Sequence, residues 1–338
     1  MKREALFDNA KLILIFLVVF GHMVQPTTDG SREMYTIYTW IYTFHMPAFI
    51  FLAGFFAKAS GNKDYIINLA KKLILPYIIF QFVFTAYFLF IGKDDWLNAP
   101  FYPHWSLWFL FSLFCWHILL ILFSKISPWI GIAAAVAIGV IVGYADSIDQ
   151  TFSLSRTFVF FPFFLAGYWL TKDHVKKWRS AVPRAASLVF MIALGVIIAL
   201  APEFNSDWLL GSKSYATMGA IELGGLIRFG VYLIGALMTM SVLAWIPNKH
   251  FSFTPLGGQT LYVYLLHGFI VQLFRQYGWV EINSVLDFTV YFVLCGFIVY
   301  LLSTSTIRTL TQPLIEGRSA LLRKQFTNMN DSNRYRTN

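Results

Sequence analysis

His22 follows Lys11 by eleven residues within an otherwise apolar stretch, and Asp8 precedes Lys11 by three. On an α-helix, eleven residues turn through about 1100°, three turns plus about 20°, and rise about 16 Å. Lys11 and His22 therefore share one face, with Asp8 in reach of Lys11 from the preceding turn. Such a stripe carries an acid–base pair at one end and an imidazole at the other. Imidazole changes protonation near neutral pH, which suits it to general acid–base work. The plainer alternative is a lysine that snorkels to headgroups and a histidine that is merely interfacial.

Six more candidates stand at similar depth. His45 sits in Thr43-Phe-His-Met-Pro47 and His267 in Tyr264-Leu-Leu-His-Gly268. Each reads either as a substrate contact or as a structural histidine bonded to a backbone carbonyl, which for His45 would be one freed by the proline. Arg156 and Arg228 lie near the ends of apolar segments, where they either bind an anionic group or snorkel. Trp105 and Trp108, with His104, open another apolar segment; they form an interfacial aromatic belt or stack on sugar rings. The sequence contains no phosphate-binding glycine loop, no Gly-x-Ser-x-Gly elbow and no metal-binding His/Glu pair on one helical turn. Neither a hydrolase-type serine nor a metal ion is expected. Cys115 and Cys295 lie inside apolar stretches and imply no disulfide framework.

The elements that position these groups follow from hydropathy. Charged residues make up 13% of the 338-residue chain and hydrophobic ones 57%; a soluble domain carries about 25% charged residues. Spanning helices need about 20 mainly apolar residues. Ten candidates occur, over 10–26, 35–57, 73–91, 105–123, 129–145, 157–171, 185–201, 220–246, 260–275 and 285–306. The net charge of +9 does not point to nucleic acid, because the basic residues alternate with apolar segments. With the N-terminus inside, 20 of the 26 Lys and Arg fall on the inner side; Arg32, Lys93, Arg156, Lys213, Arg228 and Arg275 remain outside. That bias predicts an N-in, C-in topology. The expected fold is an all-α, polytopic transmembrane bundle of about ten helices, one domain over 1–308 with a short, partly disordered cytoplasmic tail over 309–338. One internal echo pairs Phe49-Ile-Phe-Leu-Ala-Gly-Phe with Phe163-Phe-Leu-Ala-Gly-Tyr, each near a proline, Pro47 and Pro162. Its Leu-Ala-Gly steps suit close helix packing.

Taken together, the motifs resemble the integral-membrane acyltransferase-3 family, in particular its compact branch similar to fucose 4-O-acetylases. The resemblance runs through Phe7-Asp-Asn-Ala-Lys11 with His22, Phe44 to Gly54, Lys71-Lys-Leu-Ile-Leu-Pro-Tyr77 and Trp105-Ser-Leu-Trp-Phe-Leu110. It continues with Arg156 and Phe161 to Gly167, Arg228, and Thr260 to His267. It implies a membrane-bound O-acyltransferase, most simply an O-acetyltransferase. Such an enzyme takes an acyl group from cytoplasmic acyl-CoA and gives it to a hydroxyl of an extracytoplasmic or lipid-linked carbohydrate. On that reading His22 is the catalytic histidine, Lys11 the basic member of the signature, and Asp8 its partner. His45, Arg156, Arg228, His267, Trp105 and Trp108 are then substrate-binding candidates. The expected location is the cell membrane, the cytoplasmic membrane in a bacterium. Many relatives carry an extra C-terminal extracytoplasmic domain that helps delivery; here the membrane domain or a separate extracytoplasmic partner would complete the transfer. The alternative is a polysaccharide exporter or other transporter, expected to show paired broken helices.

Overall fold

The computed structural model describes residues 4–93 and 102–317. The chain enters as α1 (Ala5–Val24), then α2 (Arg32–Tyr42), α3 (His45–Phe55), α4 (Lys63–Phe90), α5 (Trp108–Phe123) and α6 (Pro128–Ile141). It continues with α7 (Leu154–Tyr168), α8 (Lys172–Trp178), α9 (Ala181–Leu200), α10 (Asp207–Leu210) and α11 (Gly224–Trp245). It closes with α12 (Thr260–Gln276), α13 (Val285–Leu302) and α14 (Ser305–Glu316). Each of the ten expected apolar stretches contains a helix, and no strand occurs among the described residues. The fold is a helical membrane bundle. Five of its helical stretches are long and apolar enough to cross a membrane: Ala5–Gly30, Lys63–Phe90, Ala181–Leu200, Gly224–Trp245 and Val285–Leu302.

Two features differ from a plain row of spans. The stretch 35–57 is two helices, because the chain breaks at Thr43–Phe44, where Phe44 takes φ −135°. Residues 305–316, at the junction of the expected domain and tail, form α14, which packs on α4 and α12. The remainder of that tail, 318–338, lies outside the described residues, as do Lys2 and Arg3.

α1 is the axle. It packs against α2, α3, α12 and α13, and Leu14, Val19, Met23 and Val24 are completely buried. The periphery is the reverse: Val182, Val189, Ile192 and Leu200 of α9, and Val285, Leu286 and Val293 of α13, are widely exposed. Apolar exposure on this scale fits hydrocarbon and not water.

The internal echo has a structural meaning. α3 and α7 form one of the most intimate pairs in the bundle. A Cβ on Gly54 would fall 1.9 Å from the carbonyl oxygen of Phe164, and a Cβ on Gly167 would fall 1.9 Å from that of Phe51. Each glycine sits three residues after the phenylalanine that the other glycine touches, so the contact is reciprocal. Backbones this close need residues with no side chain.

Candidate functional site

The Phe7–Lys11 motif divides its work residue by residue. Phe7 stacks on Phe55 with ring centroids 4.6 Å apart. Asp8 Oδ1 lies 2.7 Å from Lys11 Nζ. Asn9 donates from Nδ2 to the carbonyls of Pro247 (2.8 Å) and Lys249 (3.0 Å), and its Oδ1 accepts from Thr254 Oγ1 at 2.7 Å. Ala10 is fully buried. Gly257 lets the turn after α11 press on α1, since a Cβ there would meet the Asp8 carbonyl oxygen at 1.9 Å. The motif thus fixes the beginning of α1 against three other parts of the chain.

Along α1, Lys11, Ile15, Val18 and His22 recur at i, i+4, i+7 and i+11, and all four line one cavity of about 290 Å³. The shared stripe expected from spacing is therefore a cavity wall. Opposite it stand Met46, Phe49, Leu52 and Ala53 of α3, Phe109 and Leu113 of α5, and Tyr264 of α12. Apart from Lys11 at one end and His22 at the other, this deep cavity is largely apolar. A second cavity, of about 420 Å³, adjoins it, and His22, Met46 and Trp108 line both. The second is aromatic and basic: Tyr42, His45, Trp105, Arg156 and Arg275 contribute to its walls. His22 stands at the junction.

Three contacts fix the His22 imidazole. Tyr42 Oη lies 3.2 Å from Nδ1. The ring centroid is 4.4 Å from that of Trp105 and 5.8 Å from that of His267. The backbone is held as well. His22 lies in the last turn of α1, where carbonyls lack intrahelical donors. Arg275 supplies them, donating to the His22 carbonyl from Nε (3.1 Å) and Nη2 (2.7 Å), and from Nη2 to Gln25 Oε1 (2.5 Å). A cation at a helix C-terminus also complements the dipole there.

Trp105 is placed by strain. Its φ is +39°, in the left-handed region that a bulky L-residue seldom enters. The segment around it is pinned on both sides. Gln81 of α4 donates to the Tyr102 carbonyl (2.7 Å) and accepts the His104 N–H (3.0 Å). The Tyr264 hydroxyl donates to the Ser106 carbonyl. A backbone conformation costing on the order of 1–3 kcal/mol persists where the surroundings dictate it, and here it lays the indole against His22.

The remaining sequence candidates separate. Arg156 lines the aromatic cavity, its guanidinium 5.0 Å from the Trp108 ring centroid and its Nε 3.3 Å from the Leu210 carbonyl. His45 also lines it, and its Nδ1 lies 3.1 Å from the Ile41 carbonyl. That carbonyl belongs to the end of α2 and is not the one freed by Pro47. His267 lines neither cavity. It is fully buried behind Trp105, with Nδ1 2.9 Å from the Val263 carbonyl and Nε2 without a protein partner. Arg228 is apart from the rest: it is buried, lines neither cavity, and donates from Nη1 to the Trp208 carbonyl at 2.7 Å, holding α10. Tyr42, Gln25, Gln81, Tyr264 and Arg275 are additions that the sequence reading did not single out. Among the described residues no group of three or more His, Cys, Asp or Glu is arranged to hold a metal ion.

Comparison with known proteins identifies the family. The family model described as an acyltransferase domain, acyltransferase-3, matches residues 5–308. A nodulation protein NolL of Sinorhizobium fredii is 26% identical over 211 residues, 56% of this chain and 54% of that protein. The chain thus aligns with only about half of that relative's length. The nodulation protein NolL of Mesorhizobium japonicum is 23% identical over 297 residues, 80% of this chain and 77% of its own. No solved structure matches.

Proposed function

The chain belongs to the acyltransferase-3 family, and from that premise we propose that it is a membrane-bound O-acyltransferase, most simply an O-acetyltransferase, working across its membrane at His22. The acyl donor is cytoplasmic acyl-CoA, and the acceptor is a carbohydrate hydroxyl on the extracytoplasmic side or on a lipid-linked glycan. The observation that carries this reading is the position of His22 at the junction of two dissimilar cavities. The deep, apolar one runs between Lys11 and His22 and suits the pantetheine arm and thioester, with the Lys11 ammonium toward the CoA phosphates. The aromatic one suits a sugar ring. The inner-side excess of basic residues supports a cytoplasmic position for Lys11, with the protein in the cell membrane.

In this mechanism Nδ1–H of His22 is donated to Tyr42 Oη, which leaves the lone pair on Nε2. Nε2 takes the proton of the acceptor hydroxyl as its oxygen attacks the thioester carbonyl. The tetrahedral intermediate collapses with breakage of the C–S bond, and the CoA thiolate leaves and recovers a proton from the imidazolium. General-base help of this kind is worth about 10²–10⁴-fold. Lys11, held by Asp8, marks the donor entrance. Arg156 lies on the acceptor side, where its guanidinium helps hold the acceptor.

His22→Ala tests the proposal. Acyl transfer from labelled acetyl-CoA to cell-envelope glycans should fall to background while the protein remains abundant and monodisperse in membranes. Retained transfer in this variant would refute the role of His22. Absence of acyl-CoA-derived thiol release by the unmodified protein would refute the donor.

A further inference from the structure

The aromatic cavity holds two guanidinium groups and no carboxylate. Arg156 and Arg275 both line it, and its remaining walls are aromatic, imidazole, amide or apolar. Among the described residues neither arginine forms an ion pair. Arg156 gives only Nε, at 3.3 Å, to a carbonyl. A guanidinium carries five N–H donors in a planar fork, so among the described residues the terminal donors of Arg156 have no protein hydrogen-bond acceptor. Arg275 spends Nε and Nη2 on the end of α1 yet keeps its charge at the same wall. Among the described residues the nearby acids are otherwise engaged: Asp207 pairs with Lys213 at 2.7 Å, Asp149 accepts the Thr151 N–H at 2.7 Å, and Glu203 faces Arg32 at 3.6 Å.

A half-buried cation with no counter-charge is unfavourable, and two facing one cavity more so. A neutral sugar needs hydrogen bonding and ring stacking, which Tyr42, Trp105 and Trp108 already supply; it does not need two positive charges. We infer that the acceptor is anionic: the cavity takes a carbohydrate bearing a carboxylate or phosphate close to the hydroxyl to be acylated, and the Arg156 fork grips that group. Arg275 adds its field, and the indole faces of Trp105 and Trp108 hold the ring. This inference rests on the acyltransferase reading for the identity of the occupant, but the binding it predicts is measurable without catalysis.

The test uses the full-length protein in nanodiscs of phosphatidylcholine, so that no sugar-headed detergent or anionic lipid competes. Calorimetric titrations compare methyl β-glucuronide and glucose 6-phosphate with the neutral methyl β-glucoside. The anionic sugars should bind about ten-fold or more tightly than the neutral one, the gain expected of a charge-assisted hydrogen bond. The carboxylate and phosphate arms separate a uronic-acid acceptor from a phosphorylated or diphosphate-linked one. Arg156→Gln should bring anionic and neutral sugars within about two-fold of each other, and Arg156→Lys should retain part of the preference. In the unmodified protein the preference should shrink as salt rises, a readout independent of any variant's folding. Equal binding of charged and neutral sugars, or no binding of any by protein that still releases thiol from acetyl-CoA, would overturn the inference. Loss of thiol release with the anionic preference intact would instead sink the acyltransferase reading and leave the anion site standing.

Discussion

The reciprocal glycine contact between α3 and α7 allows a prediction to be worked through. In Gly167→Ala the new Cβ would lie 1.9 Å from the Phe51 carbonyl oxygen and 2.8 Å from its carbon, and ordinary contact begins near 3.4 Å. The obstacle is backbone and cannot rotate away, so α3 and α7 must separate by about 1.5 Å, the difference between those distances. Overpacking of this kind costs about 1–3 kcal/mol, and a rigid obstacle favours the upper end. Alanine regains about 0.8–1 kcal/mol of helix propensity over glycine. The net loss is about 2 kcal/mol. Gly54→Ala should cost the same, since its Cβ meets Phe164 at identical distance. The double variant should cost little more than either single one, because one separation relieves both clashes. The coupling energy in the cycle should thus be about 2 kcal/mol, well beyond the error of additivity for independent sites. Thermal unfolding of the four purified proteins in one detergent measures it. A shift of 1 kcal/mol corresponds to about 2–4 °C in domains of 150–250 residues and to less in a longer chain. Gly195→Ala on α9 is the control: its Cβ would meet Trp40 at 3.5 Å, so it should be neutral or slightly stabilising. Strictly additive losses at Gly54 and Gly167, or single losses below about 0.5 kcal/mol, would refute the reciprocal packing.

Asn9→Ala removes three hydrogen bonds, one buried and two part-buried, that tie α1 to the segment after α11; the orphaned groups should cost about 2–4 kcal/mol in thermal or denaturant unfolding. Tyr42→Phe leaves the packing but removes the partner of His22 Nδ1. Its kcat should fall about ten-fold with the KM for acetyl-CoA unchanged, and an unaltered kcat would show that Tyr42 does not set the tautomer. Lys11→Ala, at the far end of the deep cavity, should raise the acetyl-CoA requirement while leaving saturating turnover nearly intact; the reverse pattern in steady-state kinetics would remove Lys11 from the donor entrance.

Much of this arrangement was legible in the residues because it depends on periodicity along one segment. Apolar runs located a helix in every expected stretch, and the 3.6-residue repeat placed Lys11 and His22 on one wall. The Leu-Ala-Gly echo was readable as close packing, although that the two copies pack on each other was not. What stayed hidden depends on segments distant in sequence. Tyr42 was obscured by the break that turns 35–57 into two helices. The left-handed φ of Trp105 has no local cause, since tryptophan does not favour it; Gln81 and Tyr264, from α4 and α12, impose it.

Arg275 did leave a trace in the sequence, one that a count of charges conceals. The 20-to-6 bias of basic residues treats the minority as noise about a topological rule. In the structure five of the six have a specific protein partner. Arg32 donates to the Ile198 and Ala199 carbonyls at the end of α9. Lys93 bonds Gln272 and Lys213 bonds Asp207. Arg228 holds α10, and Arg275 holds the end of α1 while lining the aromatic cavity. Arg156 shares that cavity, lies over the Trp108 ring, and gives one hydrogen bond, the 3.3 Å contact to the Leu210 carbonyl. Selection for orientation tends to remove cations from this side of the chain, so a cation that stays there does so because something binds it. For five of the six a protein partner is present in the fold. For Arg156 a single 3.3 Å contact to a carbonyl does not occupy the fork, and the anionic acceptor inferred above would fill it from the cavity that Arg156 lines.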